Sequence, residues 1–239
     1  MQTISLINLS FLLIPLVFVG IIYRRWVGER FELPYATGRM LLQLIVIGYV
    51  LVSIFTYDHL WLGVLILLFM LSVSVSIIFR NTNNKSWENF TLIFLATGLA
   101  SAINLILSIV IVLNIEPFYE PKFVIPLAGM ILSATMNGIS LAIERFEGEI
   151  RDAESFAAAR HTAFKVAMIP QVNALLAVGV VALPGMMTGQ ILSGVDPLVA
   201  VRYQIMIMVM SVSSAGMSII FYFFLWQKIP SMRFSNRKA

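Results

Sequence analysis

The chain has 239 residues, 59% of them hydrophobic and only 12% charged, with a net charge of +4 and a mean hydropathy of +0.92. Soluble domains carry about 25% charged residues, so this composition excludes a soluble globular fold. The absence of cysteine excludes disulfides and thiolate metal sites.

Seven stretches without Asp, Glu, Lys or Arg follow one another, at roughly 4–23, 41–57, 60–79, 90–113, 123–143, 166–194 and 203–226. Most reach the length of about 20 residues that crosses 30 Å of hydrocarbon, and the second is the shortest. The expected fold is all-α, a polytopic integral membrane protein of about seven transmembrane helices, with 1–239 forming a single transmembrane domain. No repeat, low-complexity tract or long linker interrupts the series.

The first stretch has no basic residue before it, and Arg24 and Arg25 follow it. A cleavable signal peptide has the opposite order, so a retained helix is expected. The connection after it adds Arg30 and Arg39, and the second span carries Gln43. Asp58 and His59 occupy a tight turn before the third span, and Arg80 and Lys85 follow that span. The fourth span carries Asn104 and the fifth Asn137. The connection at 144–165 holds Arg145, Arg151, Arg160 and Lys165, and the tail holds Lys228, Arg233, Arg237 and Lys238. Of the 16 basic residues, only Lys122 and Arg202 fall on the other side. Basic loops stay in the cytoplasm, which places the amino terminus outside and the carboxyl terminus inside.

Polar side chains within the spans are expensive in hydrocarbon and face the bundle interior. Gln43, Asn104, Asn137, Gln171, Asn173 and Gln190 form that set. Each either makes an interhelical hydrogen bond, worth about 0.6–2 kcal/mol, or lines a pathway. No span contains a carboxylate, which argues against a proton relay built on intramembrane acids. Met206, Met210 and Met217 share one face of the last helix. Thioethers suit soft cations and also serve as adaptable packing.

His59 and His161 lie on opposite sides of the expected topology, so they cannot share a metal. There is no G-x-x-x-x-G-K-[ST] loop, so the chain does not bind ATP in the P-loop manner. The long connection "ERFEGEIRDAESFAAARHTAFK" places Phe146, Ile150, Ala153, Ala157 and Phe164 on one helical stripe. An amphipathic helix there can lie on lipid or enter a partner's groove, and its polar face, mixed in sign with an acidic excess, favours the partner. Phe146 and Ile150 would fill that groove, while Glu144, Arg145 and Glu147 set its orientation.

The sixth span ends in "LPGMMTGQILSGVDP". Pro184 and Gly185 are expected to break this helix midway, since Pro costs about 3 kcal/mol in a helix interior. Met186 and Met187 would move with that hinge, ahead of Gln190. Thr188 and Ser193 are placed to bond freed carbonyls, and Asp196-Pro197 reads as the cap and first residue of the last helix.

"LPGMMTGQILSGVDP" with "VRYQIMIM", "GRMLLQLIVIGYVL" (38–51) and "VIPLAGMILSATMNGISLAIERF" (124–146) resemble recurrent blocks of the iron-export ABC permease family, the FetB-like proteins. Plant relatives of that family are associated with aluminium tolerance. The resemblance runs over about residues 36–227. It implies a permease subunit in the cell (inner) membrane, working with a separate cytoplasmic ATP-binding subunit and exporting iron or another metal ion. ATP would sit on the partner, with no cofactor on this chain, and a homodimer with two ATPase subunits is the expected assembly. The family connection before the sixth span is longer than here, where "RDAESFAAARHTAFK" runs straight into "VAMIPQVN". An ion-coupled secondary transporter and a seven-helix membrane receptor are the alternatives. The receptor reading has neither a retinal-binding lysine in the last span nor cysteines for an outer disulfide.

Overall fold

The structure is a computed structural model describing residues 5–56, 60–116, 119–152 and 155–229. His59, Ala153, Glu154 and the basic tail beyond Ile229 lie outside the described residues. The described chain is all-helical and divides into two units, Met1–Tyr57 and Asp58–Ala239.

The first unit contains α1 (Leu6–Ser10), α2 (Leu13–Val27) and α3 (Glu32–Thr56). None of its described side chains is buried. Gly28 closes α2 in the left-handed conformation, and the Tyr23 hydroxyl bonds the Glu32 carboxylate across the short link. The expected connection at 24–40 is therefore mostly helix: Arg24 and Arg25 end α2, and Arg39 lies inside α3.

The second unit contains α4 (Leu60–Asn81), α5 (Trp87–Ile106), α6 (Pro121–Arg151), α7 (Phe156–Ala177), α8 (Gly185–Leu192) and α9 (Pro197–Trp226). A π-helical segment, Leu107–Val112, continues α5. Side-chain caps start three of these helices. Ser86 accepts from Asn89 N at 3.2 Å, and Ser155 from Ala158 N at 3.3 Å. Asp196 accepts from Leu198 N at 2.8 Å and Val199 N at 3.3 Å. Pro197 then occupies the first turn of α9, as the sequence predicts.

Cross-helix pairs set the directions. Phe146 meets Phe223 and Trp226, while Gly138 meets Ala215, so α6 and α9 run parallel. Asn89 pairs with Tyr222 and Ser108 with Met210, so α5 runs antiparallel to α9. A Cβ on Gly138 would sit 3.1 Å from Ala215 Cβ. The two backbones approach closely there, by the small-residue packing that membrane helices use in place of a hydrophobic drive. Helix α7 packs through Ala159, Ala163 and Ala167, all fully buried and spaced by four.

Two apolar cores follow. One, at the carboxyl ends of α4, α6 and α9, is an aromatic box of Phe146, Phe156, Phe223 and Trp226. It lies at the basic end, with Arg80, Lys85, Arg151, Arg160 and Lys228 around it. The second joins Ile109, Val124, Leu127, Ile131, Met206, Ile207 and Met210 at the opposite end.

Among the described residues, five helical stretches are long and apolar enough to cross a membrane: 7–27, 60–81, 87–112, 121–151 and 197–226. The sixth expected span is not one helix. Helix α7 carries Arg160, His161 and Lys165, and its apolar remainder at 166–177 covers only about 18 Å at 1.5 Å per residue. Helix α7 starts beside the aromatic box, while Met186 of α8 packs at the opposite core. The pair stands where the sequence predicts one span.

Candidate functional site

The buried polar groups of the second unit concentrate between α5 and α9. Thr97, Ser101, Asn104 and Ser108 recur at four, three and four residues, which puts them on one face of α5 and its π continuation. Asn104 donates to Ala100 O at 2.9 Å and to the Met217 sulfur at 3.4 Å. The Ser108 hydroxyl donates to the Met210 sulfur at 3.5 Å. Thr97 Oγ1, Ser101 Oγ, Gln204 Oε1 and Gln190 Oε1 are buried with no hydrogen-bond partner among the described residues. Leaving such an atom unpaired costs about 1–3 kcal/mol, and water or a polar solute would satisfy it. Thr97 lies on α5 and Gln204 on α9, while Ser101 lines a cavity among α4, α5 and α6 and Gln190 belongs to α8. The thioethers of Met210 and Met217 lie in the seam between α5 and α9.

The π segment sits on this seam. Leu113 N bonds Ser108 O at 2.9 Å and Ile115 N bonds Ile109 O at 3.2 Å, spacings wider than an α-helix allows. Single π turns inside α-helices are enriched at functional sites, and this one carries Ser108.

The structure separates the amides expected to act together. Asn104 is buried in the seam, and Gln190 turns a buried oxygen inward from α8. Asn137 on α6 and Asn173 on α7 are exposed, Gln171 is half-buried, and Gln43 is exposed on α3 of the first unit. Sequence reasoning misses Gln204, although it meets the same criterion of an amide within a charge-free span. It also misses Thr97, Ser101 and Ser108, whose signal is their shared helical face. Met206 and Met210 are buried, Met186 packs on the same core, and Met187 is half-buried.

The break in the sixth crossing is displaced from its expected position. Helix α7 ends at Ala177, seven residues before Pro184, and Pro184 caps α8 with Gly185 as its first residue. The expectation that the Pro-Gly pair interrupts a helix is thus corrected: the reversal lies at 178–183. Gly179 has φ +85°, where a side chain costs about 1–2 kcal/mol. The Ala177 carbonyl accepts from Val180, Val181 and Ala182, and Gly179 N bonds Ala182 O at 3.0 Å. The turn thereby pairs the N–H groups of 178–182 within its own backbone. Thr188 and Ser193 hydroxyls bond Pro184 O and Gly189 O, at 3.1 and 2.8 Å.

At the basic end, the expected partner helix at 144–165 is the end of α6, a reversal and the start of α7. Phe146 is 1% exposed inside the aromatic box, so it is not free to enter another protein's groove. Ile150 is half-buried against the same core. Glu147 does not face outward either. Its carboxylate accepts from the Thr82 hydroxyl, from Asn83 N at 2.7 Å and from Asn83 Nδ2 at 2.9 Å. Thr82 accepts in turn from Asn89 Nδ2 at 3.1 Å, and Asn89 accepts from the Tyr222 hydroxyl at 3.1 Å. This chain of bonds ties the α4–α5 loop to α6 and α9. Of the five expected docking residues, Glu144 and Arg145 alone stay exposed, and Arg145 pairs with Glu149.

Among the described residues, no three His, Asp or Glu side chains cluster as a metal-ion site. A family model described as an uncharacterised protein family, UPF0014, matches residues 4–229. A UPF0014 membrane protein of Synechocystis is 38% identical over 192 residues, 74% of this chain and 74% of that protein. The probable iron export permease protein FetB of Escherichia coli is 30% identical over 227 residues, 87% of this chain and 85% of that protein. The Protein ALUMINUM SENSITIVE 3 of Arabidopsis thaliana is 27% identical over 222 residues, 87% of this chain and 80% of that protein. No solved structure matches.

Proposed function

Because the chain belongs to the UPF0014 family of multi-pass membrane proteins, we propose that it is the permease subunit of an ATP-driven exporter that moves iron or another metal ion out of the cytoplasm. The observation that carries this reading is the similarity to the probable iron export permease of E. coli over 85% of that protein. The seam of unpaired oxygens and thioethers between α5 and α9 supports it, as does the discontinuous sixth crossing, a construction that transporters use at their solute sites. In this reading both units act as one seven-crossing permease domain in the cell (inner) membrane. Two copies work with two cytoplasmic ATP-binding subunits, and the chain itself catalyses nothing.

Orientation gives the first expected result. A reporter fused after Ala239 is expected in the cytoplasm, and one before Met1 outside. The chain has no cysteine, so single substitutions can be labelled cleanly. Ser155→Cys, at the α6–α7 reversal, is expected to react with an impermeant maleimide only in opened cells. Ser193→Cys, at the end of α8, is expected to react in intact ones. Labelling of both from the same side removes a crossing and ends the seven-crossing topology.

The function itself is tested by reconstitution. Vesicles holding the purified chain alone are expected to hydrolyse no ATP and export nothing. Vesicles with the co-expressed ATP-binding subunit are expected to move at least one of iron, copper(I), zinc and aluminium in an ATP-dependent manner. Transport without ATP but with an ion gradient would establish the secondary-transporter reading instead.

A further inference from the structure

One cavity of the second unit lies apart from the α5–α9 seam. It is an open groove of about 770 Å³ between α7 and the carboxyl-terminal half of α9. Its upper lining is basic, with Arg160 and Lys165 flanking His161, and among the described residues no carboxylate lines it. None of these three side chains has an acidic partner among the described residues. Arg160 lies 5.6 Å from the centre of the Phe156 ring, and Lys228 lies 4.3 Å over Phe224, itself part of the lining. The rest of the groove is apolar: Met168, Ile169, Val172, Ile220 and Phe224. Four of these are open to the surroundings, with Ile169 49%, Val172 46%, Ile220 52% and Phe224 57% exposed.

These features name one kind of ligand. From Lys165 to Asn173 the groove descends α7 by about 12 Å at 1.5 Å per residue. One leaflet of hydrocarbon is about 15 Å deep, half of the bilayer core. A basic mouth, without an acidic partner among the described residues, above an apolar channel close to one leaflet's depth is complementary to a phosphate diester carrying an acyl chain. A protein surface opposing this groove would have to be acidic at one end and aliphatic below it within the hydrocarbon. Basic pockets between membrane helices bind anionic headgroups in this way.

We propose that the α7–α9 groove is a binding site for an anionic phospholipid. The phosphate sits between Arg160 and Lys165, with His161 beside it, and an acyl chain lies along Ile169, Val172 and Ile220. The bound lipid covers the face that α7 presents beside the break, so it holds the charged end of the sixth crossing at the headgroup level. This site is independent of the solute carried and of the export reading.

Native mass spectrometry of the delipidated full chain tests it, using phosphatidylglycerol, phosphatidylcholine and inorganic phosphate as separate probes. Phosphatidylglycerol is expected to bind at least tenfold more tightly than phosphatidylcholine, and to raise the melting temperature. Inorganic phosphate is expected to do neither. In the Arg160→Gln/Lys165→Gln variant the preference is expected to vanish, while lipid-free melting stays at the parent value because both side chains are exposed. Ile169→Trp, which fills the channel and leaves the cations in place, is expected to weaken phosphatidylglycerol by at least tenfold. Equal binding of both lipids, an undiminished preference in the double variant, or competition by inorganic phosphate would overturn the proposal. So would an intermolecular disulfide formed efficiently by Ile220→Cys in native membranes, since a second copy would then occupy the groove.

Discussion

Replacing Phe146 with alanine is expected to destabilise the purified protein by about 3–5 kcal/mol, the usual cost of truncating a buried aromatic side chain. Phe146 is 1% exposed and contacts the rings of Phe156, Phe223 and Trp226. Its removal opens a cavity where α6, α7 and α9 meet. Thermal unfolding in detergent measures the loss, with Glu144→Ala/Arg145→Ala as the comparison. That pair is exposed and is expected to stay within about 0.5 kcal/mol of the parent. A Phe146→Ala protein that melts with the parent would show that the aromatic box is not formed. The same result redirects the search for the docking surface. In the proposed complex, loss of the ATP-binding subunit from a Phe146 variant would report a damaged core, whereas its loss on charge reversal at Glu144 and Arg145 with unchanged melting would report docking.

The second large effect is expected at the break. Gly179→Ala/Pro184→Ala removes the residue that holds the left-handed turn and the proline that bars α8 from extending backwards. The pair favours fusion of α7 and α8. Export in reconstituted vesicles is expected to fall at least tenfold, equivalent to about 1.4 kcal/mol. Copurification and basal ATP hydrolysis by the partner are expected to persist. Replacing Pro184 and Gly185 with leucine is expected to do less, because the reversal at 178–183 and the turn at Gly179 remain. Parental export by the Gly179/Pro184 variant would show that the break is packing without a part in transport. The variant also separates the two candidate elements, since the α5–α9 seam is untouched.

The sequence was most legible where a single residue type decides a boundary. Asp196-Pro197 starts α9 because the carboxylate accepts from the free N–H groups of Leu198 and Val199, and proline has no N–H to leave unpaired. The charge-free runs found the long helices because a charge in hydrocarbon is expensive. The break was misplaced because its cause is quiet. Gly179 lies among Val178, Val180 and Val181, and those four residues read as an apolar helix, while the louder Pro-Gly pair follows the reversal. Phe146 was misread for another reason. Periodicity says that a stripe is covered but not by what, and here the cover is the chain's own α7 and α9. The Glu147–Thr82–Asn89–Tyr222 chain was not legible at all, since partners bonded within it lie up to 133 residues apart. Neither was the π segment, whose "LSIVIV" composition does not distinguish it from α-helix.

In the proposed seven-crossing topology, the α7–α8 pair also bears on how the protein enters the membrane. A segment partitions from the translocon into lipid when its apolar length suffices and its charges are few, and each Lys or Arg at mid-membrane costs about 2.5–3.5 kcal/mol. Helix α7 brings Arg160, His161 and Lys165 ahead of a short apolar half, and α8 has eight residues. Neither qualifies alone. Their lodging is the surface of α6, already made, and of α9, not yet synthesised when α8 emerges. Integration of this crossing is therefore a joint event that waits for α9, and until then a nascent chain shows quality-control proteases an unhoused α7–α8 pair.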